Sequence, residues 1–239
     1  MQRNHKMNIS LILPVYNCGN VFAAGITALM NWLEENGLSA EIIVVDDHST
    51  DQDSIQKICS DHALQFIGLN SNQGKGHAVK VGILQASAEK IIFMDGDFPF
   101  DLSAIATVAR ELDGHDLAIG DRTHPDSTYP HRIAWTRKLA SSILSTMIQL
   151  TGISTITDTQ CGIKGFRRQA ALELFPLLKE DKFAFDIELL YLAQQRGMTI
   201  ARVPVSVKVQ ASSSVKLWRD GLDMAKLIRR LSTQKQQSA

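Results

Sequence analysis

The chain has 239 residues, 44% of them apolar, and its 25 Lys plus Arg balance 25 Asp plus Glu. That is enough apolar material for a folded core, so disorder is excluded as the dominant state. Zero formal charge removes the uniform positive field of a general nucleic-acid binder.

In chain order, short β-branched runs alternate with stretches whose apolar residues recur every three or four positions. Ile9 to Val15 reads as a strand, and Val21 to Asn36 as a helix with Phe22, Ile26, Leu29, Met30 and Leu33 on one face and Gly37 as its stop. Ile42 to Val45 is a second strand, followed by a helix near Ser54 to His62, a strand at Phe66 to Leu69, a helix from Gly76 to Ala86 and a strand from Lys90 to Met94. Strands separated by helices cannot pair as hairpins, so the expected α/β architecture is a Rossmann-like, mostly parallel sheet with helices on both faces. A further strand lies at Leu117 to Ile119. The second half then offers a long helix at Ile133 to Leu150, a turn and strand at Asp158 to Phe166, helices at Gln169 to Leu178 and Asp186 to Arg196, and a strand at Thr199 to Val209. A basic amphipathic helix near Asp220 to Leu231 frays into a Gln-rich tail. With no repeat or linker, one domain over 1–239 is expected, its halves at about 9–110 and 111–220 and its basic helix and tail at 221–239.

Cys18, Cys59 and Cys161 are odd in number and far apart, which reads as three reduced thiols and a cytoplasmic protein. The apolar run after the polar MQRNHKMNIS start is too short for an export signal, and the Ile133 to Leu150 segment carries Arg137 and Lys138, so no spanning segment is expected.

Ligands of an open parallel sheet bind at the strand C-terminal ends, and three Asp-bearing turns follow strands there: Asp46 and Asp47, Asp95 and Asp97, and Asp121. These turns are expected on one rim. Asp95-Gly96-Asp97 is the sharpest signal, because two close carboxylates repel and call for a cation such as Mg²⁺ or Mn²⁺. The bland alternative is a strand end at Asp95 with Asp97 or Asp101 capping the next helix. At the first strand exit, Pro14, Tyr16 and Asn17 offer a flat ring and an amide suited to a nucleobase. The acceptors of Asp46 to Asp51 suit a base edge or ribose, or else a simple Asx-turn. Gln73-Gly74-Lys75-Gly76 places two glycines and a lysine before a helix, where a backbone nest and a cation would face a diphosphate, although the Walker A spacing is absent. Asp186 and Glu188 begin an apolar helix, one suited to act as a base, or else a cap and a dipole partner. Arg122, Arg132, Arg137, Lys138, Lys164, Arg167, Arg168, Lys216 and Arg219 supply cations for a phosphorylated acceptor, most of them expected merely to solvate the surface.

Taken together, LPVYN at 13–17, VVDDHSTD at 44–51, NQGKGHAVKVG at 72–82 and MDGD at 94–97 resemble the family 2 inverting glycosyltransferases of GT-A fold. GDR at 120–122, DTQCGIKGF at 158–166 and FAFDIELL at 183–190 are similar to its polyprenyl-phosphate glucosyltransferase and mannosyltransferase branch. The resemblance implies that Pro14, Tyr16, Asn17, Asp46, Asp47, Gly74, Lys75 and Asp95 hold the nucleotide sugar. By the same likeness Asp97 binds Mg²⁺ or Mn²⁺, Asp186 is the base and Arg122, Arg137 and Lys216 receive the acceptor phosphate. It implies hexose transfer from a nucleoside diphosphate sugar, UDP-glucose ahead of GDP-mannose, to a polyprenyl phosphate. A non-catalytic sugar-nucleotide-binding module and a nucleotidyltransferase are the alternatives. Two departures stand out: Phe98-Pro99-Phe100 follows Asp97 where relatives carry a polar residue, and the branch's C-terminal spanning helices are missing. Bilayer contact would then be peripheral, through 220–231, whose apolar face is equally suited to the core or to a homo-oligomer.

Overall fold

A computed structural model describes residues 9–129, 156 and 158–208. Strands β1 (Ile9–Val15), β2 (Ala40–Asp46), β3 (Gln65–Gly68) and β4 (Lys90–Met94) alternate with helices α1 (Gly19–Glu35), α2 (Gln52–Asp61) and α3 (Lys75–Gln85). Then come α4 (Ser103–Glu111), β5 (Leu117–Asp121), β6 (Ile163–Arg167), α5 (Arg168–Leu174) with a 3₁₀ turn (Phe175–Leu177), α6 (Phe185–Gln195) and β7 (Ile200–Pro204). Most elements agree with the sequence pattern to within a few residues, but β7 ends at Pro204, well short of the strand expected to run on to 209. The expected helices at 133–150 and 220–231 lie outside the described residues.

One seven-stranded sheet runs in the order β3-β2-β1-β4-β6-β5-β7. It is mostly parallel, as expected, but β6 is antiparallel to both β4 and β5. The chain leaves β5 at Asp121 and enters β6 at Ile163 on the same rim, so β6 must run back across the sheet. This reversal carries Arg167 and Arg168 to the opposite rim. There Arg167 donates to Leu112 O and Asp113 O, Arg168 donates to Ala86 O, and neither is available to an acceptor at the ligand rim.

The period of two in the strands splits the core between the faces. Ile12, Ile43, Val45, Phe93 and Phe166 pack with α3, α5 and α6, whereas Leu11, Leu13, Val44, Ile92 and Met94 pack with α1, α2 and α4. On α1 the buried Phe22, Ile26, Leu29 and Leu33 form the expected stripe, with Met30 at its half-buried edge. Among the described residues no helix is long and apolar enough to cross a membrane.

Three helices end in the same way. After α1, Gly37 at φ +62° lets Leu38 N donate to Leu33 O at 2.8 Å, and after α6, Gly197 at φ +65° lets Met198 N donate to Ala193 O at 3.1 Å. After α2 the left-handed position is Ala63 at φ 53°, with Leu64 N donating to Cys59 O at 2.8 Å. A Cβ in this conformation is strained where glycine is not. Ala63→Gly should therefore raise stability by about 0.5–1 kcal/mol, read as a higher urea midpoint with an unchanged slope; an unchanged or lower midpoint refutes the strain.

Candidate active site

The exits of β1, β2, β4 and β5 and the entry of β6 share one rim, so Asp46, Asp47, Asp95, Asp97 and Asp121 gather there as expected. The backbone ties the exits together: Val15 O accepts from Asp47 N at 2.9 Å, Pro14 O from Gly96 N at 3.2 Å, and Gly162 O from Asp95 N at 2.9 Å.

On the β1–β2 side most of the polar groups fix loops. Asp46 is fully buried and accepts from Ser49 N at 3.0 Å and from the Ser49 hydroxyl, three residues on, which closes the loop after β2. Asn17, at φ 51°, receives Thr50 N at 2.8 Å and Thr50 Oγ1 at 3.0 Å on its Oδ1, and its own N–H donates to Ser49 Oγ at 2.9 Å. Asp51 Oδ2 accepts from Gly19 N at 2.9 Å, which caps α1 from across the cleft. Tyr16 stands outward, 52% exposed, as a free ring face beside these loops.

Asp47 corrects one expectation. Its carboxylate accepts from Gln73 N at 2.7 Å and Gly74 N at 2.8 Å, so these loop N–H groups hold an aspartate of the chain and are not open to a diphosphate. Burial pushes the Asp47 carboxyl up despite those two donors. Gly74, at φ +107°, is required by space as well, since a Cβ there would lie 2.5 Å from Asp181 O. The loop thereby delivers Lys75, whose Nζ lies 2.6 Å from Asp95 Oδ1 and over the rings of Phe93 at 5.8 Å and Phe183 at 5.9 Å. Burial alone would lower the pKa of this lysine, but Asp95, with Asp186 and Asp97 beyond it, outweighs burial and holds it above the ordinary lysine value.

The Asp95-Gly96-Asp97 turn fits against β1 and β6 only because of two glycines. A Cβ at Gly96 would meet Val15 at 2.5 Å, and one at Gly162 would meet Asp95 Oδ2 at 2.1 Å. Phe98, at φ 50°, then turns inward onto Phe22, ring centroids 6.3 Å apart, and onto Gly25. Of the bland alternatives for this stretch, Asp101 is the residue that receives Ser103 N, at 3.0 Å, at the start of α4. Among the described residues no cluster of three or more His, Cys, Asp or Glu is placed to hold a metal. The hard carboxylate oxygens of this turn, beside a lysine, suit Mg²⁺ or Mn²⁺ that takes its remaining ligands from a diphosphate and water.

In the second half, Arg122 is held bidentately by Asp158, Nε to Oδ2 and Nη2 to Oδ1 both at 2.8 Å, with its backbone N–H on Oδ2 at 2.9 Å. Its side chain remains 39% exposed. Asp121 is occupied by Arg202 and by Thr123 N at 2.7 Å. Arg137 and Lys216 lie outside the described residues, as do Arg132, Lys138 and Arg219. Lys164 corrects another expectation: it is completely buried, with Nζ 2.7 Å from Asp186 Oδ1, and cannot meet an acceptor. Asp186 is thus no helix cap, and burial pushes its carboxyl up against the opposing lysines. Glu188 accepts from Lys179 N at 2.9 Å and Glu180 N at 2.8 Å, which fixes the loop packed on Gly74 and Gly76. The sequence reading missed Asp158 and Glu188 as partners. Nothing local in the sequence marks either pairing, since Asp158 meets an arginine 36 positions away and Glu188 meets backbone N–H groups of the preceding loop.

Comparison with known proteins gives the family and the fold. The profile of "Glycosyl transferase family 2" matches residues 10–175. A dolichyl-phosphate beta-glucosyltransferase of Dictyostelium discoideum is 31% identical, covering 93% of this chain and 73% of the relative. The human dolichyl-phosphate beta-glucosyltransferase is 31% identical over 88% of this chain and 70% of its own. Glucosyl-3-phosphoglycerate synthase from Mycobacterium tuberculosis, solved with UDP, superposes with a TM-score of 0.67 at 18% identity, covering 94% of this chain and 78% of that one. The same synthase has been solved with Mn²⁺, UDP and glucosyl-3-phosphoglycerate, at a TM-score of 0.67 and 19% identity.

The Arg122–Asp158 pair yields a pH test. Burial would raise the Asp158 carboxyl, but hydrogen bonds and charge from Arg122 outweigh it and hold it below the usual carboxylate range. A depressed folded value contributes stability above the unfolded pKa, near 4, and loses it as pH falls through the folded value. Arg122→Met should cost about 1–2 kcal/mol at pH 7, discounted for the exposed guanidinium. In urea unfolding across pH 7 to about 3 the gap to the unsubstituted chain should shrink; a gap independent of pH refutes the pairing.

Proposed function

The chain belongs to glycosyl transferase family 2, and from that premise we propose that it moves glucose from UDP-glucose to a polyprenyl phosphate with inversion at the anomeric carbon. It is a glycosyltransferase on a GT-A fold. The observation that carries the finer reading is Lys75 held 2.6 Å from Asp95 at the β4 exit, one glycine away from Asp97. A departing nucleoside diphosphate needs a cation beside it, and Lys75 is the cation this carboxylate-lined rim holds at the β4 exit. The names of the relatives supply the donor sugar and the lipid-phosphate class of the acceptor.

In this reading the exposed Tyr16, with Pro14, Asn17 and Asp46 shaping the loops beneath it, receives the base. Asp47 and Gly74 hold the lysine loop in place, and Asp95 contacts the sugar nucleotide. Asp97 holds Mg²⁺ or Mn²⁺, which when bound supplies Lewis-acid neutralisation of the diphosphate. Arg122, with Arg137 and Lys216, receives the acceptor phosphate. A phosphate oxygen of the acceptor attacks the anomeric carbon in line, the bond to the diphosphate breaks, and Lys75 takes up the developing negative charge. The acceptor is already an anion near neutral pH, so Asp186 orients and balances charge and need not remove a proton. Free cysteines at 18, 59 and 161 suit a reducing compartment. We accordingly place the reaction at the cytoplasmic face of a membrane, with residues 220–231 as the peripheral contact.

Radiolabelled UDP-glucose, polyprenyl phosphate in detergent or vesicles and Mn²⁺ should give a glucosylated lipid, and chelation should stop the reaction. Asp97→Ala should lower kcat by about 10³-fold or more, and Lys75→Met by about 10²-fold. Labelled lipid formed from GDP-mannose and not from UDP-glucose would replace the glucose assignment, and full activity of Asp97→Ala would remove the metal role.

A further inference from the structure

Lys164 stands at mid-strand in β6, opposite Phe93 of β4 and Ile119 of β5, on a sheet face that is otherwise apolar. Its side chain is 0% exposed. Its ammonium donates to Asp186 Oδ1 at 2.7 Å and to Cys161 O at 2.8 Å, with the Phe93 ring 5.4 Å away. Well-packed apolar side chains of similar volume are often at least as stable as a buried ion pair, so stability is a poor reason for a charge here. Asp186 in turn acts on Lys75, which is held by Asp95. From inside the sheet to the rim the charges therefore alternate: Lys164, Asp186, Lys75, Asp95.

We propose that Lys164 is a positioning residue, which fixes Asp186 as an oriented carboxylate so that Lys75 is balanced from below as well as by Asp95. This role rests on Lys75 serving as the counter-charge of the leaving diphosphate. Lys164 touches neither substrate; it acts through Asp186. The charged groups facing Asp186 are Lys164 from β6, Lys75 from the start of α3 and Asp95 from the β4 exit. Burial already pushes the Asp186 carboxyl up against both lysines, so removing the nearer cation pushes it further up, toward the protonated acid.

The test compares the full-length wild type with Lys164→Met and with Lys164→Met/Asp186→Asn. At pH 7, Lys164→Met should show a carboxylic-acid C=O stretch in its infrared spectrum that both the wild type and the pair variant lack. Its kcat for glucosyl transfer should fall about 100-fold, with KM for the donor changed by less than about threefold. The deficit should shrink as pH rises and the buried acid ionises. A folded Lys164→Met protein with no such stretch, or with a pH–rate profile parallel to that of the wild type, overturns the proposal. Should that variant not fold, Lys164→Gln, which removes the charge but keeps a donor, is read by the same two outcomes. The infrared comparison uses no substrate. A wild type that transfers no glucose thus refutes the proposed function alone, and an absent stretch refutes the Lys164 role alone.

Discussion

Around the ring of Phe93, two lysines and two aspartates are set so that each cation has an acid at hydrogen-bond distance, Lys75 with Asp95 and Lys164 with Asp186. Lys164 and Asp186 are fully enclosed, where an unpaired charge would cost several kcal/mol, whereas Lys75 and Asp95 keep part of their side chains in solvent at the rim. Much of the rim can be understood as what this constraint demands. Gly162 leaves space for the Asp95 carboxylate, Asp47 pins the loop that delivers Lys75, and Glu188 pins the segment packed against that loop. The chemistry and the fold therefore share the same few side chains.

The reversed β6 gives this arrangement its shape. Only a strand running back from the rim, inserted between β4 and β5, places Lys164 beside Phe93 while Gly162 sits against Asp95. The same reversal removes Arg167 and Arg168 to the far rim, where they satisfy the carbonyls of Leu112, Asp113 and Ala86. One connection thus sorts the basic residues of the second half into those able to reach a ligand and those that hold loops together.

The alternation of short β-branched runs and helical stripes was legible because each strand exposes two apolar faces and each helix one, and the amino acids repeat accordingly. The acids at the ends of β2, β4 and β5 could be placed for the same reason. Strand direction was not legible, since a central strand reads alike in both senses and the reversal depends on where a distant segment returns. Partnership was equally hidden. Nothing local distinguishes Lys164 from a surface lysine, or Arg122 from one without Asp158, because each partner lies 22 or 36 positions away. The Gly-Lys-Gly loop was read as a cradle for a ligand because two glycines flank a lysine just ahead of a helix. That an aspartate from another strand fills it is a tertiary fact.

Phe98 has one more implication. Its inward turn commits the residue after Asp97 to the interior beneath α1, so that position offers no ligand to complete a coordination sphere. An ion at Asp97 would draw much of its coordination from the incoming nucleotide, and thermodynamic reciprocity would make each of the two guests raise the other's affinity by an equal factor. The catalyst would then be assembled afresh at every turnover and would dissolve with its product.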